Sequence, residues 1–182
     1  MRPASQTYDA EGRRLTNTDR GGWVATFVYD NNGRLTSTIY PDGATMTTVY
    51  DANGRVSQVI DPRGNSTAYI YDDAGRQTAV TDALGHVTTF IYDANGNQTG
   101  MTDANGHTTS YEYDDNGRRT HILYADGTNS ITTYDALGRS IAQTDQAGLT
   151  TQFSYNAMGQ LTAVTDALRK VELTLLLRRF HY

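Results

Sequence analysis

The residues with chemistry to offer in this chain are four histidines, a recurring set of Asp-Asn-Gly turns and thirteen tyrosines. His86 and His107 stand 21 residues apart. Zinc takes such ligands, but even an open catalytic site needs three of them from the protein. No third ligand accompanies this pair, so the sequence favours two exposed rings that follow turns. His121 and His181 have no counterparts. Asp93-Ala94-Asn95-Gly96 resembles half of a calcium loop; the remaining half would alternate oxygen ligands and end in a bidentate Glu, and neither follows. Asn65-Ser66-Thr67 and Asn97-Gln98-Thr99 fit the glycosylation acceptor pattern, which matters in a eukaryotic secretory host. Surface tyrosines and asparagines offer aromatic faces and polar edges to a sugar, although filling the ladders of a sheet is the favoured reading. No nucleophile elbow, phosphate loop or carboxylate pair occurs. The sequence therefore predicts no catalytic residue, no metal ligand, no cofactor and no enzyme.

What positions these residues is a repeat. Its tyrosines are Tyr8, Tyr29, Tyr50, Tyr71, Tyr92, Tyr113, Tyr134 and Tyr155, each 21 positions after the last with no insertion or deletion. Asp follows at Asp9, Asp30, Asp51, Asp72, Asp93, Asp114 and Asp135, and Asn156 takes that place in the eighth copy. Four positions after each tyrosine stands Gly12, Gly33, Gly54, Gly75, Gly96, Gly117, Gly138 or Gly159. Arg comes next in six copies, with Asn97 and Gln160 as the departures. A fixed period in the twenties is the mark of a stacked repeat architecture. These motif residues form the structural site of the chain.

Composition agrees with this reading. Of the 182 residues, 37% are hydrophobic and 19% charged, with a formal net charge of −5. Disordered chains combine low hydrophobicity with high net charge and few aromatics; here Tyr and Thr are plentiful and suit half-buried strands. The core is expected to be thin, built on one face of a sheet. The absence of cysteine removes disulfides and thiolate metal sites. Mild acidity argues against a nucleic-acid partner, which needs a basic stripe. No run of 18 apolar residues is present, so no helical membrane span is expected. Met1 to Thr7 carries no apolar stretch of the signal-peptide kind.

Within one unit, Arg34–Ile39 runs into Tyr40-Pro41-Asp42-Gly43, and Ala44–Tyr50 runs into Asp51-Ala52-Asn53-Gly54. Two β-rich segments thus alternate with two glycine turns that need positive φ near their ends. The second glycine recurs at Gly22, Gly43, Gly64, Gly85, Gly106, Gly127 and Gly148, so turns follow one another at 10 and 11 residues. That spacing predicts a continuous meander of hairpins with no room for helices. Two residues before the motif tyrosine stand Phe27, Tyr69, Phe90, Tyr111 and Phe153, with Thr48 and Thr132 as exceptions. Residues two apart share a strand face, so aromatic and tyrosine columns project together. Val59, Val80, Met101, Ile122 and Val164 make a second apolar column, and threonines lie between. The motif Asp is expected to accept backbone amides in its turn and to pair with the Arg four positions later. An exposed pair of this kind contributes about 0–1 kcal/mol, which gives it a register role.

The run Tyr-Asp-x-x-Gly-Arg at this interval, with a glycine turn between copies, resembles the YD repeat, the unit of the Rhs (rearrangement hotspot) family. Tyr50-Asp51-Ala52-Asn53-Gly54-Arg55 and Tyr134-Asp135-Ala136-Leu137-Gly138-Arg139 carry the resemblance most closely, and it extends from Tyr8 to Asp166. The family includes bacterial Rhs polymorphic toxins, wall-associated repeat proteins, the C components of Tc insecticidal complexes and animal teneurins. The resemblance implies hairpins that spiral into a hollow β-shell. In the toxins the shell encloses a C-terminal effector; in teneurins it is extracellular and supports adhesion.

The expected fold is all-β, a repetitive antiparallel β-hairpin meander forming a segment of a curved Rhs/YD-repeat shell. Residues 1–168 hold the eight repeats. Residues 169–182 diverge: Arg169 replaces a glycine, and Leu176 and Leu177 stand where Tyr-Asp would fall. That basic, Leu-rich tail is read as a truncation or frameshift scar, as a cap on the last strand edge, or as an amphipathic binding segment. About sixteen strands are too few to close a shell around a cargo, so the chain is read as partial. By resemblance it is expected to be secreted or at the cell surface, as a non-catalytic part of a shell that encloses or displays a toxin or effector region. The alternative is an adhesion module that binds carbohydrate or a cell surface. The expected partners are neighbouring repeats, an enclosed effector domain, or a cell-surface glycan.

Overall fold

The computed structural model describes residues 4–167 and 171–173. The chain forms two compact units, Met1–Thr89 and Phe90–Tyr182. The first holds β1 (Ser5–Tyr8), β2 (Arg14–Thr18), β3 (Val24–Tyr29), β4 (Leu35–Ile39), β5 (Thr45–Tyr50), β6 (Val56–Ile60), β7 (Ser66–Tyr71) and β8 (Gln77–Thr81). The division falls within β9 (Val87–Tyr92). The second holds β10 (Gln98–Thr102), β11 (Thr108–Tyr113), β12 (Arg119–Leu123), β13 (Asn129–Tyr134), β14 (Ser140–Thr144), β15 (Thr150–Tyr155), β16 (Leu161–Thr165) and β17 (Val171–Leu173). All described elements are strands. No helix among the described residues is long and apolar enough to cross a membrane. The fold is the all-β antiparallel meander that the glycine spacing predicts.

In the first unit each strand pairs antiparallel with the next from β1 to β9, and in the second from β10 to β17. Both kinds of turn close in the same way. Gly54 N donates to Asp51 O at 3.0 Å and Asp51 N to Arg55 O at 2.8 Å; Gly43 N donates to Tyr40 O and Tyr40 N to Ala44 O in the same pattern. Each such turn ends on a glycine with φ near +80°, for example +83° at both Gly43 and Gly54, a region an L side chain enters only at a cost.

The alternation of 10 and 11 residues has a physical cause in a β-bulge. At the end of β3 the register passes from Val28↔Ser37 to Tyr29↔Leu35, leaving Thr36 as the extra residue. The same shift occurs before Tyr50, Tyr71, Tyr113, Tyr134 and Tyr155, whereas the intervening turns show none. The bulged residue is often a hydroxyl, which returns a hydrogen bond to the strand it left. Thr36 donates to Val28 O at 3.2 Å, Ser57 to Val49 O at 3.3 Å, Thr120 to Glu112 O at 3.3 Å and Thr162 to Ser154 O at 3.0 Å. A bulge locally disrupts the ladder, and these hydroxyls add a side-chain bond across it.

Register also places the columns. Tyr69 lies opposite Val80, Tyr111 opposite Ile122 and Phe153 opposite Val164, so the aromatic and aliphatic columns meet directly across strands. The core they form is shallow. Ala79, 8% exposed, is the one buried hydrophobic residue among the described residues. The other face carries aliphatic side chains as well: in the first unit Val28, Val49 and Ile70, each one residue before a motif tyrosine, stay exposed to solvent. Of the divergent tail, Val171–Leu173 adds a strand to β16, and the remainder of residues 169–182 lies outside the described residues.

Candidate functional site

The first-turn carboxylate is a three-bond cap. Asp51 Oδ1 accepts the amides of Asn53 and Arg55, both at 2.9 Å, and Oδ2 accepts Arg55 Nε at 2.6 Å. The same arrangement holds at Asp9, Asp30, Asp114 and Asp135, and Asp72 takes the amide and Nε of Arg76. Two copies lack the arginine and place a neutral amide side chain there instead. Asn97 Nδ2 donates to Asp93 Oδ2 at 2.9 Å, and Asn156 Nδ2 donates to Gln160 Oε1 at 2.9 Å.

The arginine so fixed reaches forward into the next repeat. Its guanidinium carbon lies over the next motif ring: 5.3 Å for Arg13 on Tyr29, 4.6 Å for Arg34 on Tyr50, 4.7 Å for Arg55 on Tyr71, 4.8 Å for Arg118 on Tyr134 and 4.7 Å for Arg139 on Tyr155. Arg55 Nη1 also donates to Asp72 O at 2.9 Å. The tyrosine reaches back. Tyr50 Oη donates to Leu35 O at 2.9 Å, and Tyr29, Tyr71, Tyr113, Tyr134 and Tyr155 make the equivalent bond to the carbonyl 15 residues earlier. Tyr8 donates to Gln6 Oε1 instead. The glycine makes room for the arginine. A Cβ on Gly54 would stand 3.2 Å from Arg34 Nη1, one on Gly33 3.3 Å from Arg13 Nη1 and one on Gly138 3.2 Å from Arg118 Nη1. Tyr, Asp, Gly and Arg thus form a joint that spans two successive repeats.

The second turn has its own cap, which the period alone hides. Asp61 Oδ1 accepts the amides of Arg63 and Asn65 at 2.8 Å, and Asp19, Asp82, Asp103 and Asp145 do likewise in their turns. Where tyrosine replaces that aspartate, an acid two residues later serves: Asp42 Oδ1 accepts the Ala44 amide, and Asp126 Oδ1 the Thr128 amide. The Asp-x-x-Gly spacing common to both turns is the signal that would have revealed it.

The histidines belong to these caps. His86 Nδ1 lies 2.8 Å from Asp82 Oδ2 and His107 Nδ1 3.2 Å from Asp103 Oδ2, all side chains well exposed. His121 Nδ1 lies 3.3 Å from Glu112 Oε2, and His181 falls outside the described residues. Among the described residues no three His, Asp or Glu side chains gather to hold a metal ion.

The caps shift the acids. Asp30, Asp51, Asp72 and Asp135 are held below the usual carboxylate range, foremost by the amide of the following Arg; partial burial opposes this and the guanidinium adds to it. At Asp61 and Asp82 the side chains of Asn65 and His86 are the first cause. The folded chain therefore binds fewer protons than the unfolded one in mild acid. Its stabilisation is complete above the unfolded Asp value of about 3.9 and is lost as pH falls through the lower folded values. Melting followed by circular dichroism from pH 7 to pH 2 should show a midpoint that declines below about pH 4. A midpoint that rises on acidification would contradict the cap.

Comparison with known proteins places the joint in a family. The RHS Repeat model matches residues 8–45, 50–87, 71–108, 92–128 and 134–171. Comparison with curated proteins finds no match. Among solved structures, the TcdB2–TccC3–TEV and TcdB2–TccC3 crystal structures align with TM-scores of 0.49 and 0.48 at 15% identity. A mutant Tc holotoxin pore of Photorhabdus luminescens gives 0.48 at 15% identity. Each alignment covers 90% of this chain but only 11 to 12% of the other, so this chain spans about a tenth of the length of those it matches. With the family model covering most of the sequence and a Tyr-Asp-Gly-Arg joint built from its repeating residues, the chain belongs to the RHS Repeat family.

Proposed function

We propose that this chain is a non-catalytic wall segment of a longer secreted or cell-surface RHS-repeat protein, in which stacked hairpins enclose or display a toxin or effector region. The observation that carries the reading is the joint. Its tyrosine, aspartate, glycine and arginine are engaged in capping a turn or gripping the adjacent repeat. Stability in such an array is a sum of repeat and nearest-neighbour terms, so a wall can be lengthened by adding copies. In this reading residues 1–168 are the wall, and Val171–Leu173 of the divergent segment pairs with its strand β16.

An antibody raised against the chain tests the proposal in the source cells. It should detect a polypeptide much longer than 182 residues in the culture fluid or on intact cells. Limited trypsin treatment should leave a core that the antibody still recognises. Detection of a short cytosolic polypeptide alone would sink the reading.

A further inference from the structure

In the second unit three columns depart from their pattern within one repeat. Thr132 stands where the aromatic column has Tyr69, Phe90, Tyr111 and Phe153, and Gln143 where the aliphatic column has Val80, Met101, Ile122 and Val164. Ser140 is the short member of a column that includes Leu35, Val56, Gln98, Arg119 and Leu161. Register brings the three together. Thr132 lies opposite Gln143 and Tyr134 opposite Ser140, so all four share one face. Ser130, on the same face of that strand, lies opposite Ile122, and Tyr113 lies opposite Arg119. These departures leave a hollow of about 450 Å³ in the packed face, a size that suits a small molecule. At Thr48, by contrast, the facing residue is still Val59, and Tyr50 still lies opposite Val56.

The lining has a definite chemistry. It holds no Asp or Glu, although the chain as a whole carries a net charge of −5, and Arg119 stands in its wall. Arg118 is held by Asp114 at 2.6 Å. Arg119 makes no ion pair among the described residues, and its guanidinium lies over the Tyr111 ring at 5.4 Å. Such a fork matches the two oxygens of a carboxylate. The hydroxyls of Ser130 and Thr132 and the amide of Gln143 supply neutral hydrogen-bonding groups. Ser140 Oγ is buried without a hydrogen-bond partner among the described residues, which folded proteins seldom leave so. A second hollow adjoins across Thr132 and Gln143 and carries Asp145 and Asp166. Those acids hold an anion to the Arg119 side.

We infer that this hollow is a binding site for a small aromatic monocarboxylate. The ligand's ring takes the place that Phe or Tyr fills in other copies, in the column between Tyr111 and Phe153. Tyr113 and Tyr134 in the lining offer it aromatic contacts. Its carboxylate accepts from the Arg119 guanidinium, and polar substituents on the ring meet Ser130, Thr132 and Gln143. An aliphatic acid would leave the place of the missing ring unfilled. A doubly charged phosphate or phosphonate would find one guanidinium and, beyond Gln143, two acids. The site lies within the second unit and needs only that unit's fold, so it stands or falls apart from the wall proposal.

Calorimetry on the full chain tests the inference. Benzoate, 4-hydroxybenzoate, phenylacetate and indole-3-acetate are titrated up to about 10 mM, beside benzamide, acetate and phenylphosphonate. At least one aromatic carboxylate should bind saturably with a midpoint below about 1 mM. Benzamide, acetate and phenylphosphonate should each bind at least about tenfold more weakly. Arg119→Gln, which installs the residue type of Gln77 and Gln98 in the same column, should weaken the binding at least about tenfold. Thr132→Phe, which installs the ring of Phe90 and Phe153, should abolish it. Both variants copy side chains the sheet already carries at equivalent positions, and an unchanged far-UV spectrum separates lost binding from lost fold. Silence towards all four aromatic carboxylates, equal binding of benzamide or phenylphosphonate, or unaltered binding by either folded variant would each overturn the inference.

Discussion

Replacing Tyr50 by alanine should lower the stability of the chain by about 3 kcal/mol, read as a fall in the urea midpoint at unchanged slope. Three losses make up that figure. The half-buried ring gives up apolar contact worth about 1.5–2 kcal/mol. The stack of Arg34 over the ring at 4.6 Å contributes about 0.5–1 kcal/mol. The bond from Tyr50 Oη to Leu35 O contributes about 0.5–1 kcal/mol. Tyr50→Phe separates these, since it removes only the hydroxyl and should cost the last portion alone. A Tyr50→Ala loss no larger than that of Tyr50→Phe would show that the ring itself holds nothing.

The glycines give a matched pair for the second prediction. Gly54 and Gly43 share φ of +83°, but a Cβ at Gly54 would meet Arg34 Nη1 at 3.2 Å whereas one at Gly43 would meet nothing within 4 Å. Alanine at either position incurs the left-handed backbone penalty of about 1–2 kcal/mol. Only Gly54→Ala also displaces the guanidinium from its seat, which adds about 0.5–1 kcal/mol for the disturbed stack. Gly54→Ala should therefore have the lower urea midpoint of the two. Equal midpoints would mean that the first-turn glycine serves backbone conformation alone.

Much of this architecture is legible in the sequence, because glycine and the period report backbone geometry directly. Gly43 and Gly54 fix turns, their spacing fixes strand lengths, and alternation assigns Tyr50 and Thr48 to one face. The pairing of Asp51 with Arg55 follows from the same local logic. What a single copy does not reveal is reach. Arg34 lies 16 residues from Tyr50 in sequence, and nothing in its own repeat says that the guanidinium extends forward while Asp30 holds its Nε. The exposed column of Val28, Val49 and Ile70 is not singled out by the sequence reading, because a sheet expected to bury one thin face carries the expectation of a polar opposite face. Trp23 breaks the column of turn residues, and its partner Gly21 looks like an ordinary turn glycine until the indole is seen lying across it. Local rules of turn and strand are written into each repeat; contacts between repeats depend on where long side chains end.

The central claim is that the motif couples one repeat to the next, and a double-mutant cycle between Arg34 and Tyr50 tests it most directly. The cost of Tyr50→Ala is measured in the parent chain, in Arg34→Met, and in Arg13→Met as a control, since Arg13 stacks on Tyr29 and not on Tyr50. The joint predicts that the cost shrinks by about 0.5–1 kcal/mol in the Arg34→Met background and is unchanged in the Arg13→Met background. An equal cost in all three backgrounds would contradict it, leaving the repeats held by backbone pairing alone.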